Sequence, residues 1–381
     1  MRSALDRIGA VVTKEFRHLA RDPRTVGIVL LMPVFQLLVF AYAISFDVSH
    51  LPTLVIDNDR TPASREYLRQ YSGSPLFTIV GYADDQASAE RAFQAGSAEV
   101  AVIVPAGFGR QLAAGGQGQV GVLIDGSEPN SARVAQAYTN ALNLTYRQGI
   151  ATAWAGSQGI DLGSIGQLES RVRTWYNPER RSAIFLIPGL MAVILAIVTV
   201  QQTAQTLVRE RDLGTADQLA VSPLRKLELM LGKLLPWTLL AFVDVVVITA
   251  LAIGVFGVPL RGDVLALTVG AALFVFCALG MGLVISALAP SVDVANIAAL
   301  LVAFLPTFLL SGFVFALDQI PTVLDWVSYL FPARYMITIS RGVFLKGSGW
   351  PELWQQVAVL GLYAVLSLAA ASLLYSRRRT R

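Results

Sequence analysis

Residues 264–288 read VLALTVGAALFVFCALGMGLVISAL, a run without a single Lys, Arg, Asp or Glu. After Ala289-Pro290-Ser291-Val292-Asp293 a second apolar run extends from Val294 to Val314. A bilayer core about 30 Å thick is crossed by about 20 mostly apolar residues in a helix. The two runs therefore read as spans joined in a tight helical hairpin closed at Pro290, whose ring cannot continue the first helix. Working outward, four more runs of spanning length appear: Thr25 to Phe46, Ala183 to Ala204, Leu234 to Val255 and Trp354 to Tyr375. Buried helices of a soluble protein are rarely so long and so numerous, and 54% hydrophobic residues with a mean hydropathy of +0.57 agree with membrane burial. The fold class is an α-helical polytopic membrane protein with six transmembrane helices and a domain inserted after the first.

Lys and Arg in short loops resist translocation, so their distribution sets the orientation. One side carries Arg2, Arg7, Lys14, Arg17, Arg21 and Arg24 before the first span, Arg209, Arg211, Arg225, Lys226 and Lys233 between the second and third, and Arg377, Arg378, Arg379 and Arg381 in the tail 376–381. The opposite short loops hold Arg261, Arg334, Arg341 and Lys346. Fifteen against four places both termini in the cytoplasm and residues 47–182 outside it. The net charge of +4 follows from this asymmetry and calls for no nucleic-acid partner. The first span lacks a small-residue cleavage site and reads as an uncleaved anchor. Cys277, the only cysteine, lies inside the fourth span, which leaves the external domain without an intrachain disulfide.

Within residues 1–24, Leu5, Ile8, Val12, Phe16 and Leu19 recur at spacings of three and four, the pattern of an amphipathic helix. Such a stripe suits a helix lying in the cytoplasmic membrane interface, and equally one packed on another cytoplasmic element. The inserted segment alternates strand and helix: Leu54 to Ile56, a turn at Asp57-Asn58-Asp59, a polar helix from Pro62 to near Tyr71, a strand Phe77 to Val80, a helix Asp84 to Ala95, a strand Val100 to Val104, a helix Phe108 to Ala114, and a strand Val120 to Ile124. A helix from about Ser131 to Trp154 and a connection at Gly156 to Gly166 lead back to the membrane. This is a small α/β domain.

Its residues do not assemble known chemistry. With only His18 and His50 in the chain, neither a histidine metal cluster nor a Ser-His triad forms outside, so no metal and no catalytic residue is expected. Asp57 with Asp59 reads as a turn, and Asp84 with Asp85 as a helix start. Gly116, Gly118 and Gly121 have the GxGxxG spacing, but a helix precedes them and a strand follows, the reverse of a dinucleotide site. No GxxxxGK[ST] occurs, so ATP hydrolysis, with its ATP and Mg2+, would have to reside in another subunit.

Asp244, near the middle of the third span, is the main ionisable residue inside the runs and is either a functional polar site or a group protonated or hydrogen-bonded within the bundle that only stabilises packing. The loop 205–233 carries more information. It reads Leu207-Val208-Arg209-Glu210-Arg211-Asp212-Leu213-Gly214-Thr215, then Gln218-Leu219, Ser222-Pro223 and Leu231-Gly232-Lys233. Gly214 and Ser222-Pro223 both stop helices, so a short helix should lie across the ends of two spans, suited to dock on a soluble partner and move as a rigid body. A surface loop binding anionic lipid through its arginines is the plainer reading.

This loop closely resembles that of type-2 ABC transporter permeases, whose pattern is Glu-x-x-x-Gly-Thr, then Leu and Ser-Pro, then Gly-Lys. A second stretch is similar to the same family: Leu310-Ser311-Gly312-Phe313, Pro321, Pro332, Arg334-Tyr335, Arg341-Gly342 and Lys346-Gly347. The resemblance covers nearly the whole chain and, with its large inserted domain, looks like the exporter subgroup of multidrug type. It implies a permease subunit without enzymatic activity, in a bacterial inner membrane, exporting an amphiphilic or drug-like substrate with a separate cytoplasmic ABC ATPase, a second permease copy or paralogue, and a periplasmic adaptor. It further implies an ATPase-coupling loop at Glu210, Gly214, Thr215, Leu219, Ser222 and Pro223. Two short helices within 316–347 would dip into the outer leaflet and form an outer gate with Gly312, Pro321, Pro332, Arg334 and Arg341. The aromatic residues Trp326, Tyr329, Phe331, Tyr335 and Trp350 suit headgroup depth in lipid. An ion-gradient-driven transporter and a membrane-anchored receptor using the external domain are the alternatives.

Overall fold

The computed structural model describes residues 4–43, 48–158, 175–179, 181–212, 214, 225–315 and 317–379. The chain forms two compact units, Met1–Ser45 with Thr174–Arg381, and Phe46–Arg173. The first unit opens with α1 (Ala4–Arg21) and α2 (Pro23–Ala43). Asp22 starts α2 by accepting the Thr25 amide at 3.1 Å and the Thr25 hydroxyl at 2.6 Å. Ile28, Leu31, Met32 and Phe35 on α2 are exposed, an apolar row of the kind that lipid or a partner helix covers.

The second unit is built on β1 (Leu51–Asp57), α3 (Pro62–Ser72), β2 (Phe77–Tyr82), α4 (Gln86–Gln94), β3 (Val100–Val104), α5 (Phe108–Ala113), β4 (Gly121–Ile124) and α6 (Pro129–Ser157). The sheet order is β2-β1-β3-β4, with β1 parallel to β2 and β3, and β4 antiparallel to β3. Alternation along β3 divides the core. Val100, Val102 and Val104 pack with Tyr67, Tyr71, Phe77, Phe108 and Ala135, while Ala101 packs on the other face with Ile56 and Ala89. The helix and strand order matches the sequence reading, with ends shifted by a few residues. The acidic residues are structural here: Asp85 caps α4, and Asp57 accepts the amides of Asp59 and Arg60. Asp59 accepts the amides of Gly107 at 2.8 Å and Gly109 at 2.9 Å, which ties the end of β1 to the start of α5. Gly116 and Gly118 lie between α5 and β4, so helix precedes strand as the sequence implies. The connection expected at Gly156 to Gly166 falls from residue 159 onward outside the described residues.

The first unit resumes with α7 (Ser182–Ala204), α8 (Thr206–Asp212), α9 (Lys226–Gly254), α10 (Val264–Leu288), α11 (Val292–Leu310), α12 (Thr322–Ser328), α13 (Pro332–Arg341), a π-helical turn Gly342–Lys346, and α14 (Trp350–Arg379). Among the described residues six helices are long and apolar enough to cross a membrane. In the span that contains α7, 89% of the apolar window is buried, against 22% in α2, α11 and α14, so α7 is the centre of the bundle. It packs against α2, α9, α10, α11 and α13. The α10–α11 hairpin turns at Pro290, and the Ser291 side chain caps α11 by accepting the Val294 amide.

Two helix boundaries depart from the apolar runs. The third span begins at Lys226 and not near Leu234, because α1 covers its charged first turns. Val11 of α1 sits over Gly232, where a β-carbon would come within 2.6 Å of Val11. The fifth span ends at Leu310, short of Val314, because Gly312 takes φ +83, a left-handed conformation that interrupts the helix. On α1, Val11 makes the buried contact, while Leu5 and Phe16 of the apolar stripe remain exposed. The packed face of the helix therefore centres on Val11 and includes Ile8, Val12 and Leu19 of that stripe, which are half-buried.

Candidate functional site

At the end of the bundle where α7 passes into α8, three elements meet through charge. Lys233 on α9 is 2% exposed. Its ammonium lies 2.7 Å from Glu210 of α8 and 3.3 Å from Glu15 of α1. Glu210 also reaches Lys14 at 3.5 Å. One turn earlier on α9, Glu228 receives both ends of the Arg7 guanidinium, at 2.9 Å from Nε and 2.6 Å from Nη2, and accepts the Arg225 amide at 3.0 Å. The planar fork of arginine matches a carboxylate in this two-point geometry. Asp22, at the junction of α1 and α2, has its carboxyl held below the usual range by the Thr25 hydroxyl and amide. Removing one member of a buried ion pair costs about 3–5 kcal/mol because the other charge is left unpaired.

The same short helix is tied to the α10–α11 hairpin. The Leu207 and Val208 amides donate to the Ser286 hydroxyl at 2.9 and 3.2 Å. Arg211 donates to the carbonyls of Ser286 at 2.9 Å and Ala289 at 3.0 Å, placing a cation at the negative end of α10. Gln205 donates to Asn296 of α11 at 2.7 Å. α8 and the residue before it are thus bonded to α9 through Lys233 and to α10 and α11 through Ser286, Ala289 and Asn296. Gly214, at φ +70, turns the chain just past α8. Thr215, Leu219, Ser222 and Pro223 lie outside the described residues.

Near the opposite end of α7, the segment 322–346 folds as the two short helices α12 and α13 followed by the π-helical turn. Pro321 precedes α12 and Pro332 opens α13 at its first position, where a missing N–H costs nothing. Arg341 at the end of α13 donates to the carbonyls of Gly312 at 2.7 Å and Phe313 at 3.0 Å, and its guanidinium stands 3.9 Å from the centre of the Phe185 ring. Ser340 donates to the Pro188 carbonyl of α7 at 2.7 Å. Arg334 pairs with Asp325 at 2.6 Å, donates to Ser328 and lies 3.7 Å above the Tyr329 ring. Tyr335 and Tyr363 both donate to the Tyr329 carbonyl, at 3.1 and 2.7 Å. The structure therefore brings Gly312 and Arg341 together, while Arg334 closes a separate local cluster.

Asp244 is 1% exposed, and neither carboxylate oxygen has a hydrogen-bond partner among the described residues. Sequence reasoning named Glu210 but missed its partners. Lys233 enters the sequence reading as part of the Gly-Lys pair and, with Arg7, as one of the basic residues that set the orientation, while Glu15, Glu228 and Ser286 have no place in it. The available signal was charge complementarity between two amphipathic segments, Arg7, Lys14 and Glu15 in one and Glu228 and Lys233 in the other. Ser286 gave no signal, being one small polar residue within an apolar run.

Comparison with known proteins places this arrangement. The description "ABC-2 family transporter protein" matches residues 23–373. The chain is 31% identical to the "Probable multidrug ABC transporter permease YbhS" of Escherichia coli (strain K12), over 97% of this chain and 94% of that protein. It is 26% identical to the "Probable multidrug ABC transporter permease YbhR" of the same strain, over 98% and 99% respectively. To the "Inner membrane transport permease YhhJ" it is 24% identical, over 93% and 94%. With six candidate spans, a short helix bonded across their ends and a match over nine-tenths of its length, the chain belongs to the ABC-2 transporter family.

Proposed function

We propose that this chain is the membrane-spanning permease subunit of an ATP-driven exporter, working with a separate cytoplasmic ATPase and a second permease copy or paralogue. The observation that carries this reading is the set of bonds around α8. Glu210 holds α9 and α1 through Lys233 and Lys14, and Arg211 holds the α10–α11 hairpin. A soluble partner pressing on the loop 205–233 would move three spans as connected bodies. The excess of Lys and Arg at that end supports a cytoplasmic location for it and for both termini, and with them an extracytoplasmic location for the unit Phe46–Arg173. On this orientation α12 and α13 form the re-entrant outer segment, and Arg341, fastened to the broken end of α11, sets the shape of the exit. The names of the relatives and the apolar helix faces support an amphiphilic, drug-like substrate leaving the cytoplasm or inner leaflet, with an adaptor receiving it from the external unit.

The test is purification of the tagged chain in mild detergent from its native membrane, with identification of co-purifying proteins and assay of ATP hydrolysis on the same sample. The expected result is a stoichiometric P-loop ATPase. Glu210→Ala should lower substrate-stimulated hydrolysis about tenfold while the chain is still recovered, a loss equivalent to about 1.4 kcal/mol of coupling. A chain that repeatedly purifies alone, with transport that survives ATP depletion and collapses with the proton gradient, would exclude the exporter reading in favour of ion-driven transport.

A further inference from the structure

Where a carboxylate is buried in the helical unit, the chain supplies a cation for it: Glu228 has Arg7, and Glu210 has Lys233. Asp244 breaks this pattern. It is as buried as the core leucines, with both oxygens lacking a donor among the described residues. Its neighbours on the same helix are apolar and buried: Ala241 one turn before it, Val245 beside it and Ile248 one turn after. A carboxyl in such surroundings holds its proton while alone and gives it up to solvent when a positive group arrives to pair with the carboxylate.

We propose that Asp244 is the anchoring site for a cationic group on the transported molecule, an amine or quaternary centre carried by an amphiphile. This rests on the exporter reading for its purpose, though not for its chemistry. A cation on an apolar body gains most from a carboxylate screened by apolar helices, where water does not weaken the attraction. Position supports the same role. Asp244 lies eleven residues beyond Lys233 on α9, about three turns and roughly 16 Å along the same helix face. Lys233 is the point at which α8 grips α9. A shift of α8 therefore moves the helix that carries Asp244 and opens or closes its sealed environment from a distance.

The experiment is equilibrium binding of tetraphenylphosphonium to the full-length chain in lipid nanodiscs, alongside uncharged triphenylphosphine oxide. The wild-type chain should bind the cation more tightly than the oxide. Asp244→Asn, equal in size and uncharged, should weaken the cation about tenfold or more while changing the oxide less than about twofold. Asp244→Glu should keep the preference for the cation, and thermal unfolding of both variants checks that the chain is intact. Failure of the wild-type chain to prefer the cation, unchanged cation affinity in Asp244→Asn, or equal weakening for both probes would overturn the proposal and leave Asp244 as a packing element. Because the measurement needs no ATPase, it separates the two readings. Charge-selective binding without an associated ATPase keeps the site and removes the exporter, whereas an ATPase complex with charge-blind binding does the reverse.

Discussion

The two ends of α7 are fastened by different chemistry. At the α8 end four side-chain ion pairs join α1, α8 and α9, among them Arg7 to Glu228 and Lys233 to Glu15 between residues more than 200 positions apart, beside the hydrogen bonds that tie α8 to α10 and α11. At the α13 end, arginines hold backbone carbonyls and lie over aromatic rings, as Arg341 does with Gly312, Phe313 and Phe185. The other arginine there, Arg334, pairs with a residue only nine positions away. Ion pairs between separate helices can be exchanged as the helices slide, since Glu210 already shares Lys233 and Lys14. Carbonyls fixed in a helix break offer one geometry only. The first end thus carries pairs with exchangeable partners, the second contacts of fixed geometry, which is the contrast that the proposed coupling and exit roles require.

The strongest test of this contrast is Lys233→Met. With the ammonium gone, Glu210 and Glu15 face each other across a buried gap, and the expected loss is about 3–5 kcal/mol. Thermal unfolding of the purified chain should show it, and adding Glu210→Gln should recover part of the loss. Recovery of nothing would mean that Lys233 acts through packing alone. Arg341→Met at the other end should cost about 2–3 kcal/mol, from two charge-assisted hydrogen bonds and one ring contact. It should appear as faster proteolysis between Gly312 and Pro321 and, unlike an exposed ion pair, be nearly insensitive to salt. The smallest effect is at Asp22. Its carboxyl titrates below the ordinary range because Thr25 donates to the charged form. The stabilisation is therefore complete above the unfolded value, near pH 4, and is lost as pH falls through the lower folded value. Hydrogen exchange at Thr25 and Val26, corrected for the intrinsic rate, should accelerate only in that acidic window. Acceleration at neutral pH would rule out the cap as its cause.

These contacts differ in how far they could be read from the amino-acid order. All six spans, the hairpin turn at Pro290 and the order of strands and helices between Leu51 and Ser157 follow from local patterns: runs long enough for a bilayer, alternation of two, and proline or glycine punctuation. Glu210 and Gly214 were marked by their motif, and both stand at α8 in the structure. The pairing of Glu210 with Lys233 and Lys14 was not legible, because ion pairs between separate helices, 23 and 196 positions apart, leave no local period. The true start of the third span was hidden for the same reason. Glu228 and Lys233 look like the end of a membrane run until α1 is seen to neutralise them.

What the sequence determined alone is the chain's division into apolar spans and an α/β insert, since both depend on how each segment meets water or lipid. Only the tertiary structure decided that α7 is the central helix, that the packed face of α1 centres on Val11 and leaves Leu5 and Phe16 of its apolar stripe exposed, and that Asp244 is buried without a partner among the described residues. Each of these depends on which segments face one another. An apolar run has the same composition whether its neighbour is a lipid tail or another helix, so that choice is made by packing and by the few charges that must find a counterpart.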